Sequence, residues 1–491
     1  MFYTETRDGA VNITASQAIV NGISEDGGLY VPSSFPKLSP DDIDALRHLD
    51  YKELAAEIIS KFLDFDRDEL KKYCDAAYSR FDTDEVCPVV KTDEGTFILE
   101  LFHGPTLAFK DVALTLLPHL LTASAKKVGL DKKILILVAT SGDTGKAALE
   151  GFRDVDGTRV TVLYPEEGVS EMQKLQMRTQ EGNNVAVIGI KGNFDDAQSA
   201  VKRIFTDERM AGMLSDKGYV LSSANSINWG RLVPQIVYYF HAYLELVRKG
   251  EIKTGDKINF AVPSGNFGDI LAGYYAKLMG LPVNKLICAS NSNKVLTDFF
   301  ETGVYDKNRE FYKTISPSMD ILVSSNLERL LFEISDRDAR FVREKMDELK
   351  TSGKYVVPLD MLAKAGIAAG YADEEATKMA IDCFFDSYNY PLDTHTAVAV
   401  TVYNNYVAET GDFTPTVIVA TASPFKFPSD VYGALAHEKA SDPFIAADKL
   451  AFISGIKVPD AIRSLLTKNI VHDKVVEKDK IDEAVLSLTE E

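Results

Sequence analysis

The chain has 491 residues, 45% of them apolar and 26% charged, with a formal net charge of −19. That length exceeds one ordinary hydrophobic core and predicts about two to three globular domains. The acidic balance excludes a nucleic-acid partner, which most of the surface would repel, and no apolar run approaches the roughly 18 residues of a membrane span.

Residues 1–90 read as an N-terminal domain. In it a Gly27-Gly28 turn precedes a short strand ending at Pro32, and Ile43, Leu46, Leu49, Leu54 and Ile58 recur at near-helical spacing. This predicts an acidic amphipathic helix from Asp41 to Lys61. A strand over Thr96–Phe102 then leads to a helix beginning near Lys110, which Pro118 would kink or divide. Short apolar runs at 134–139, 160–164, 185–188, 258–262, 286–289 and 417–420 suit strands buried on both faces of parallel sheets. They alternate with amphipathic stretches, so the fold class is open α/β in two lobes, 91–250 and 251–435, followed by a charged helical tail over 436–491. Four cysteines without a C-x-x-C pair, and an N-terminus lacking a basic-then-apolar leader, predict a reducing, cytoplasmic location. The seven histidines show no H-x-x-x-H spacing, so no metal is expected.

Five segments carry chemistry-bearing residues. Phe102-His103-Gly104-Pro105-Thr106-Leu107-Ala108-Phe109-Lys110-Asp111 places one lysine among apolar neighbours at a helix mouth. Partial burial would lower its pKa toward the nucleophilic range that a Schiff-base lysine needs; a solvated surface lysine is the competing reading. Thr140-Ser141-Gly142-Asp143-Thr144-Gly145-Lys146 follows a strand and opens an Ala-rich helix. Its amides suit an anion such as a carboxylate, or form an ordinary cap. Pro263-Ser264-Gly265-Asn266-Phe267-Gly268-Asp269 follows another strand, where two glycines let the backbone approach a phosphate or simply make a turn. Asn225-Ser226-Ile227-Asn228-Trp229-Gly230-Arg231 gathers amide, hydroxyl and guanidinium donors beside the sole tryptophan. It suits a phosphorylated substrate, or is a turn with a solvated arginine. Thr421, in Ala420-Thr421-Ala422-Ser423-Pro424, either faces a ring nitrogen or caps a turn. His395, in Asp393-Thr394-His395, either orients a loop near the site or is a satisfied structural histidine.

In this order the five segments, with Asn21-Gly22-Ile23-Ser24 and Glu25-Asp26-Gly27-Gly28-Leu29-Tyr30-Val31-Pro32, resemble the threonine synthases. These are pyridoxal-phosphate enzymes of the tryptophan-synthase-β kind, and the likeness, from about residue 3 to 430, is to their bacterial and fungal branch. The resemblance implies two fold type II α/β lobes with an added N-terminal domain. It also implies pyridoxal 5'-phosphate as cofactor, and a reaction converting O-phospho-L-homoserine and water to L-threonine and phosphate. Lys110 would hold the coenzyme and shuttle protons. Ser264, Gly265, Asn266, Phe267 and Gly268 would wrap its phosphate, Asp143 would lie beside its phenolic oxygen, and Thr421 would meet its ring nitrogen. Ser141, Gly142 and Thr144 would receive the substrate carboxylate, and Asn225, Ser226 and Arg231 its phosphate. Many relatives in the wider superfamily carry Asn where this chain has Asp143. A carboxylate beside a phenolate requires a shared proton or a turned-away side chain. The alternatives are a phospho-lyase that stops at 2-oxobutanoate, a β-eliminating dehydratase, or a cofactor-binding protein without turnover; the assembly is a monomer or a homodimer.

Overall fold

The computed structural model describes residues 1–140, 142–166, 169–440 and 442–489. Phe2–Glu5 pairs antiparallel with Ile13–Thr14 and Tyr30–Pro32 in a small N-terminal sheet. The predicted helix over 41–61 is broken into Pro40–Ala45, a short 3-10 turn, and Tyr51–Ser60. The break comes at Leu49, whose backbone is extended, and at Asp50, which caps the second helix in a reciprocal box with Glu53. Apolar spacing continues across the gap, but the local capping bonds interrupt the helix.

Two mostly parallel sheets follow. The larger has the spatial order Ile367–Tyr371, Val283–Ser290, Ile258–Pro263, Thr416–Ala420, Thr96–Glu100, Val89–Asp93, with only the last strand antiparallel. The smaller, all parallel, has the order Val475–Glu477, Val185–Lys191, Thr158–Pro165, Lys133–Ala139, Tyr219–Ser222. All six apolar runs read from the sequence lie in these strands. Their pairing crosses the segment boundaries drawn from sequence. Thr96–Glu100 pairs with Thr416–Ala420, so residues just after 90 join the larger sheet. Val475–Glu477 pairs with Val185–Lys191, so the tail adds a strand as well as helices. Pro118 divides the chain as anticipated, into helices Lys110–Leu114 and Leu117–Lys127, and sits in the first turn of the second, where its missing N–H leaves no bond unmade.

The N-terminal unit docks through an aromatic cluster. Trp229 and Tyr3 are fully buried with ring centroids 5.5 Å apart, and Phe62 and Tyr275 close around the indole. Buried Arg329 pins the same region by donating to Tyr30 O, Ile227 O and Asn326 Oδ1. Strands ending at Glu100, Ala139, Ser222, Pro263 and Ala420 all deliver a loop to their carboxyl ends. That is where open parallel sheets bind ligands. Among the described residues no helix is long and apolar enough to cross a membrane.

Candidate active site

The loop after Thr96–Glu100 is fastened to the end of the neighbouring strand. Phe109 N–H donates to Thr421 O at 2.8 Å and Ser423 N–H to Leu107 O at 3.0 Å. The Thr106 amide and hydroxyl both donate to buried Asp111, at 2.7 and 2.6 Å. Gly104 permits the fold-back, because a Cβ there would stand 2.3 Å from that of Asp111. Lys110 therefore starts its helix from a fixed position, and at 8% exposure it is buried more deeply than its sequence suggests. Its Nζ lies 3.5 Å from both Asp143 Oδ2 and Ser318 Oγ. Burial pushes its pKa down; the Asp143 carboxylate opposes that, while Arg231 and Lys426 add to it, and the net shift is downward.

Asp143 opens the helix Asp143–Phe152 behind Gly142, whose φ of 147° and proximity to Gln173 admit no side chain. Thr140 Oγ1 accepts the amides of Gly142 and Gly145, each at 3.0 Å. The Gly142 N–H, expected to serve a substrate carboxylate, is thus already engaged. The first-turn amides of Asp143 and Thr144 have no helical partner to serve. Ser141 lies outside the described residues.

The Asp143 carboxylate is surrounded by donors. Oδ1 accepts from Gln173 Nε2 at 2.9 Å and pairs with Lys426 Nζ at 3.1 Å. Oδ2 accepts from Ser318 Oγ at 3.0 Å and faces Lys110. Burial alone would raise its pKa; the ammonium groups of Lys426 and Lys110 outweigh burial and hold it well below the ordinary carboxylate range. Ser318 is aimed by His395, whose Nε2 accepts the Ser318 amide at 3.1 Å while Nδ1 bonds Asp393 Oδ1 at 3.0 Å. His395 therefore orients a loop at the site, one of its two sequence readings.

The Ser264–Gly268 turn packs against Ser318, whose hydroxyl lies 3.5 Å from Lys110 Nζ. Gly265 is required for close approach, since a Cβ would stand 2.8 Å from Ser318 O. Neither Gly265 nor Gly268 has a positive φ; Phe267 takes the left-handed conformation at 63° instead. Its ring is buried and stacked on Phe300. Packing of that ring holds a conformation that glycine would adopt more easily. The Asn266 side chain is exposed, and its carbonyl accepts the Asn326 amide at 3.1 Å. Gly268 begins the helix Gly268–Met279, and the Cβ of Ser226 lies 3.7 Å from where a Gly268 Cβ would stand. The 225–231 and 264–268 turns therefore meet.

Arg231 sits in the first turn of the helix Trp229–Arg248, capped by Asn228, and is buried. It donates to Ala224 O at 2.9 Å, and among the described residues it has no carboxylate partner. Burial lowers its pKa to about 10, so it stays charged at neutral pH. The side chains of Asn225 and Ser226 are half-buried beside it. Thr421 is a buried residue, and its hydroxyl has no hydrogen-bond partner among the described residues.

Asp269, directly after the turn, was not singled out by sequence reasoning. Its Oδ1 accepts the hydroxyls of Tyr238 and Tyr239 at 2.6 and 2.8 Å, and its buried Oδ2 has no partner. Burial raises its pKa from 3.8 to about 6. The folded protein thus binds this proton more tightly than the unfolded chain, and stability falls as pH rises from about 4 to about 6. Asp269→Asn keeps an acceptor for both tyrosines and removes the charge. Its unfolding free energy at pH 7.5 should exceed the parent's by about 1–3 kcal/mol, and urea titrations should show the difference vanishing below pH 4. Gln173, Ser318 and Lys426 were missed as well. Only Lys426, the lone cation within Pro424-Phe425-Lys426-Phe427-Pro428, left a local signal.

Comparison with known proteins places the chain in a family. Residues 2–78 match the family description "Threonine synthase N terminus", 90–423 match "Pyridoxal-phosphate dependent enzyme", and 396–477 match "Threonine synthase, C-terminal". The chain is 41% identical over 436 residues to threonine synthase of Pseudomonas aeruginosa, covering 88% of this chain and 90% of that protein. It is likewise 41% identical over 434 residues to human threonine synthase-like 1, spanning 86% of this chain but only 58% of that longer protein. The crystal structure of PLP-bound threonine synthase from Brucella melitensis superimposes with a TM-score of 0.88 at 38% identity, covering both chains completely. The yeast threonine synthase structure gives 0.89 at 34% identity, over 100% of this chain and 98% of that one. With matches over residues 2–78, 90–423 and 396–477, and whole-chain likeness to solved threonine synthases, this chain belongs to the threonine synthase family.

Proposed function

We propose that this chain converts O-phospho-L-homoserine and water to L-threonine and phosphate, with pyridoxal 5'-phosphate held at Lys110. The observation that carries the reading is the meeting of two anion-seeking turns, at Ser226 and Gly268, beside a buried lysine of lowered pKa. A phosphorylated aldehyde fits these residues. The amine of Lys110 suits the carbonyl, and the turn that opens the helix Gly268–Met279 suits the phosphate at a helix N-terminus. When bound, the coenzyme supplies an electron sink for the pair left by a broken C–H bond.

The chain's own groups supply the rest. Lys110 Nζ takes the substrate's Cα proton and, within about 3 Å of each carbon in turn, moves protons at Cβ and Cγ. Thr421 would meet the coenzyme's ring nitrogen with a neutral hydroxyl, which, unlike a carboxylate, would not hold that nitrogen protonated. Arg231, with Asn225 and Ser226, holds the phosphate as its bond to Cγ breaks and retains it while water adds at Cβ. The amides of Asp143 and Thr144 fix the substrate carboxylate.

Product analysis tests this directly. Purified protein supplied with pyridoxal 5'-phosphate and O-phosphohomoserine should release threonine and phosphate in equal amounts. Release of 2-oxobutanoate instead would make the chain a phospho-lyase, and neither product would make it a binding protein.

A further inference from the structure

We propose that Lys426 is a positioning residue whose ammonium occupies Asp143, leaving the amine of Lys110 free to take an aldehyde. The inference rests on the reading of Lys110 as the coenzyme-binding residue. Lys426 ends the short turn Pro424–Lys426, just past the strand Thr416–Ala420, and its side chain has no exposed surface. It donates to Thr106 O at 2.7 Å, which ties it to the loop that sets Lys110, and it pairs with Asp143 Oδ1 at 3.1 Å. An ammonium this deeply buried persists only with a counter-charge, and Asp143 is the carboxylate it touches.

Two lysines therefore compete for one carboxylate. Lys426 and Gln173 take Oδ1 at 3.1 and 2.9 Å, while Ser318 takes Oδ2 at 3.0 Å. Those three donors nearly fill the acceptor capacity of the group, and Lys110 is left with the longest contact, 3.5 Å. The charged groups that bear on Lys110 and its partner come from every side of the site. Asp143, Arg231, Lys426 and Asp269 act on Lys110 itself, and His395 acts on Asp143. Asp143 favours the ammonium form of Lys110, and Arg231 and Lys426 disfavour it. Without Lys426, Asp143 would have Lys110 as its one close ammonium, and the pair would lock the amine in its protonated form. The same arrangement accounts for a carboxylate at this position. With Lys426 attached, Asp143 presents a net-neutral unit, electrostatically closer to an amide than to a bare anion.

Capture of the aldehyde needs the unprotonated amine. Its lone pair forms a C–N bond to the carbonyl carbon, and the carbonyl oxygen leaves as water once the C=N bond closes. The test follows capture of pyridoxal 5'-phosphate by coenzyme-free protein, read from the visible absorbance band across pH. For Lys426→Met the capture profile should move to higher pH by about one unit, a roughly tenfold slower capture at pH 7. The double variant Asp143→Asn/Lys426→Met should return toward the parent profile. Should Lys426→Met fail to fold by circular dichroism, Lys426→Gln keeps a donor for Thr106 O without the charge and carries the same expectation, as does its pairing with Asp143→Asn. An unmoved profile in the single charge-removing variant, or no recovery in the double, overturns the inference while leaving Lys110 in its role. A parent protein whose band persists in Lys110→Ala overturns both.

Discussion

Lys110→Ala should lower turnover of O-phosphohomoserine by on the order of 10⁴-fold, because one amine is asked to serve both as the coenzyme's anchor and as the proton carrier. The fold should survive the change. The Nζ has no bond shorter than 3.5 Å, and burial already disfavours its charge. The sign of the stability effect follows from that. A lysine whose pKa falls on folding binds its proton less tightly in the native state, so native stability rises with pH up to the unfolded value near 10.5. The alanine variant should lack this alkaline rise and should unfold within a few degrees of the parent at pH 7, as followed by differential scanning calorimetry of the coenzyme-free proteins. Turnover within tenfold of the parent would remove Lys110 from the chemistry.

Much of this site was legible because its parts are local in sequence. Each of the turns at 140–146, 264–269 and 421–424 directly follows a strand read from the sequence, and a strand-then-turn unit with small and polar residues is visible without knowing any tertiary contact; the 225–231 segment showed only its donors, since the short strand Tyr219–Ser222 ahead of it left no such signal. What surrounds Asp143 was not legible for the same reason. Gln173, Ser318 and Lys426 stand 30, 175 and 283 residues from it, and only the packed lobes bring them within hydrogen-bond range. The phosphate turn shows a second limit. Its two glycines suggest backbone freedom, yet the left-handed residue is Phe267, held by aromatic packing with Phe300 that no local rule contains. Strand order fails similarly. The runs at 96–100 and 416–420 are each readable, but their pairing is a non-local choice that moved residues after 90 into the larger sheet.

Arg231→Ala should cut kcat/KM for O-phosphohomoserine by about 30-fold to several thousand-fold, the equivalent of roughly 2–5 kcal/mol for losing one side of a desolvated charge pair. Among the described residues the Arg231 guanidinium is buried with one carbonyl and no carboxylate, an arrangement that costs stability. A dianionic phosphate offsets that cost when it arrives, and the burial that weakens the free protein strengthens the attraction. Coenzyme-free Arg231→Ala should therefore unfold at the same temperature as the parent or higher, while its affinity for substrate collapses. A residue that merely supported the fold would do the reverse. Arg231→Lys retains a charge but loses the two-pronged geometry and should recover only part of the loss. Inhibition by inorganic phosphate separates this role from a general disturbance of the site: its inhibition constant should weaken in step with substrate binding, whereas coenzyme capture, read by absorbance, should persist and move only to higher pH, because a cation near Lys110 is lost. Unaltered inhibition by phosphate in Arg231→Ala would move the substrate's anion to another part of the site.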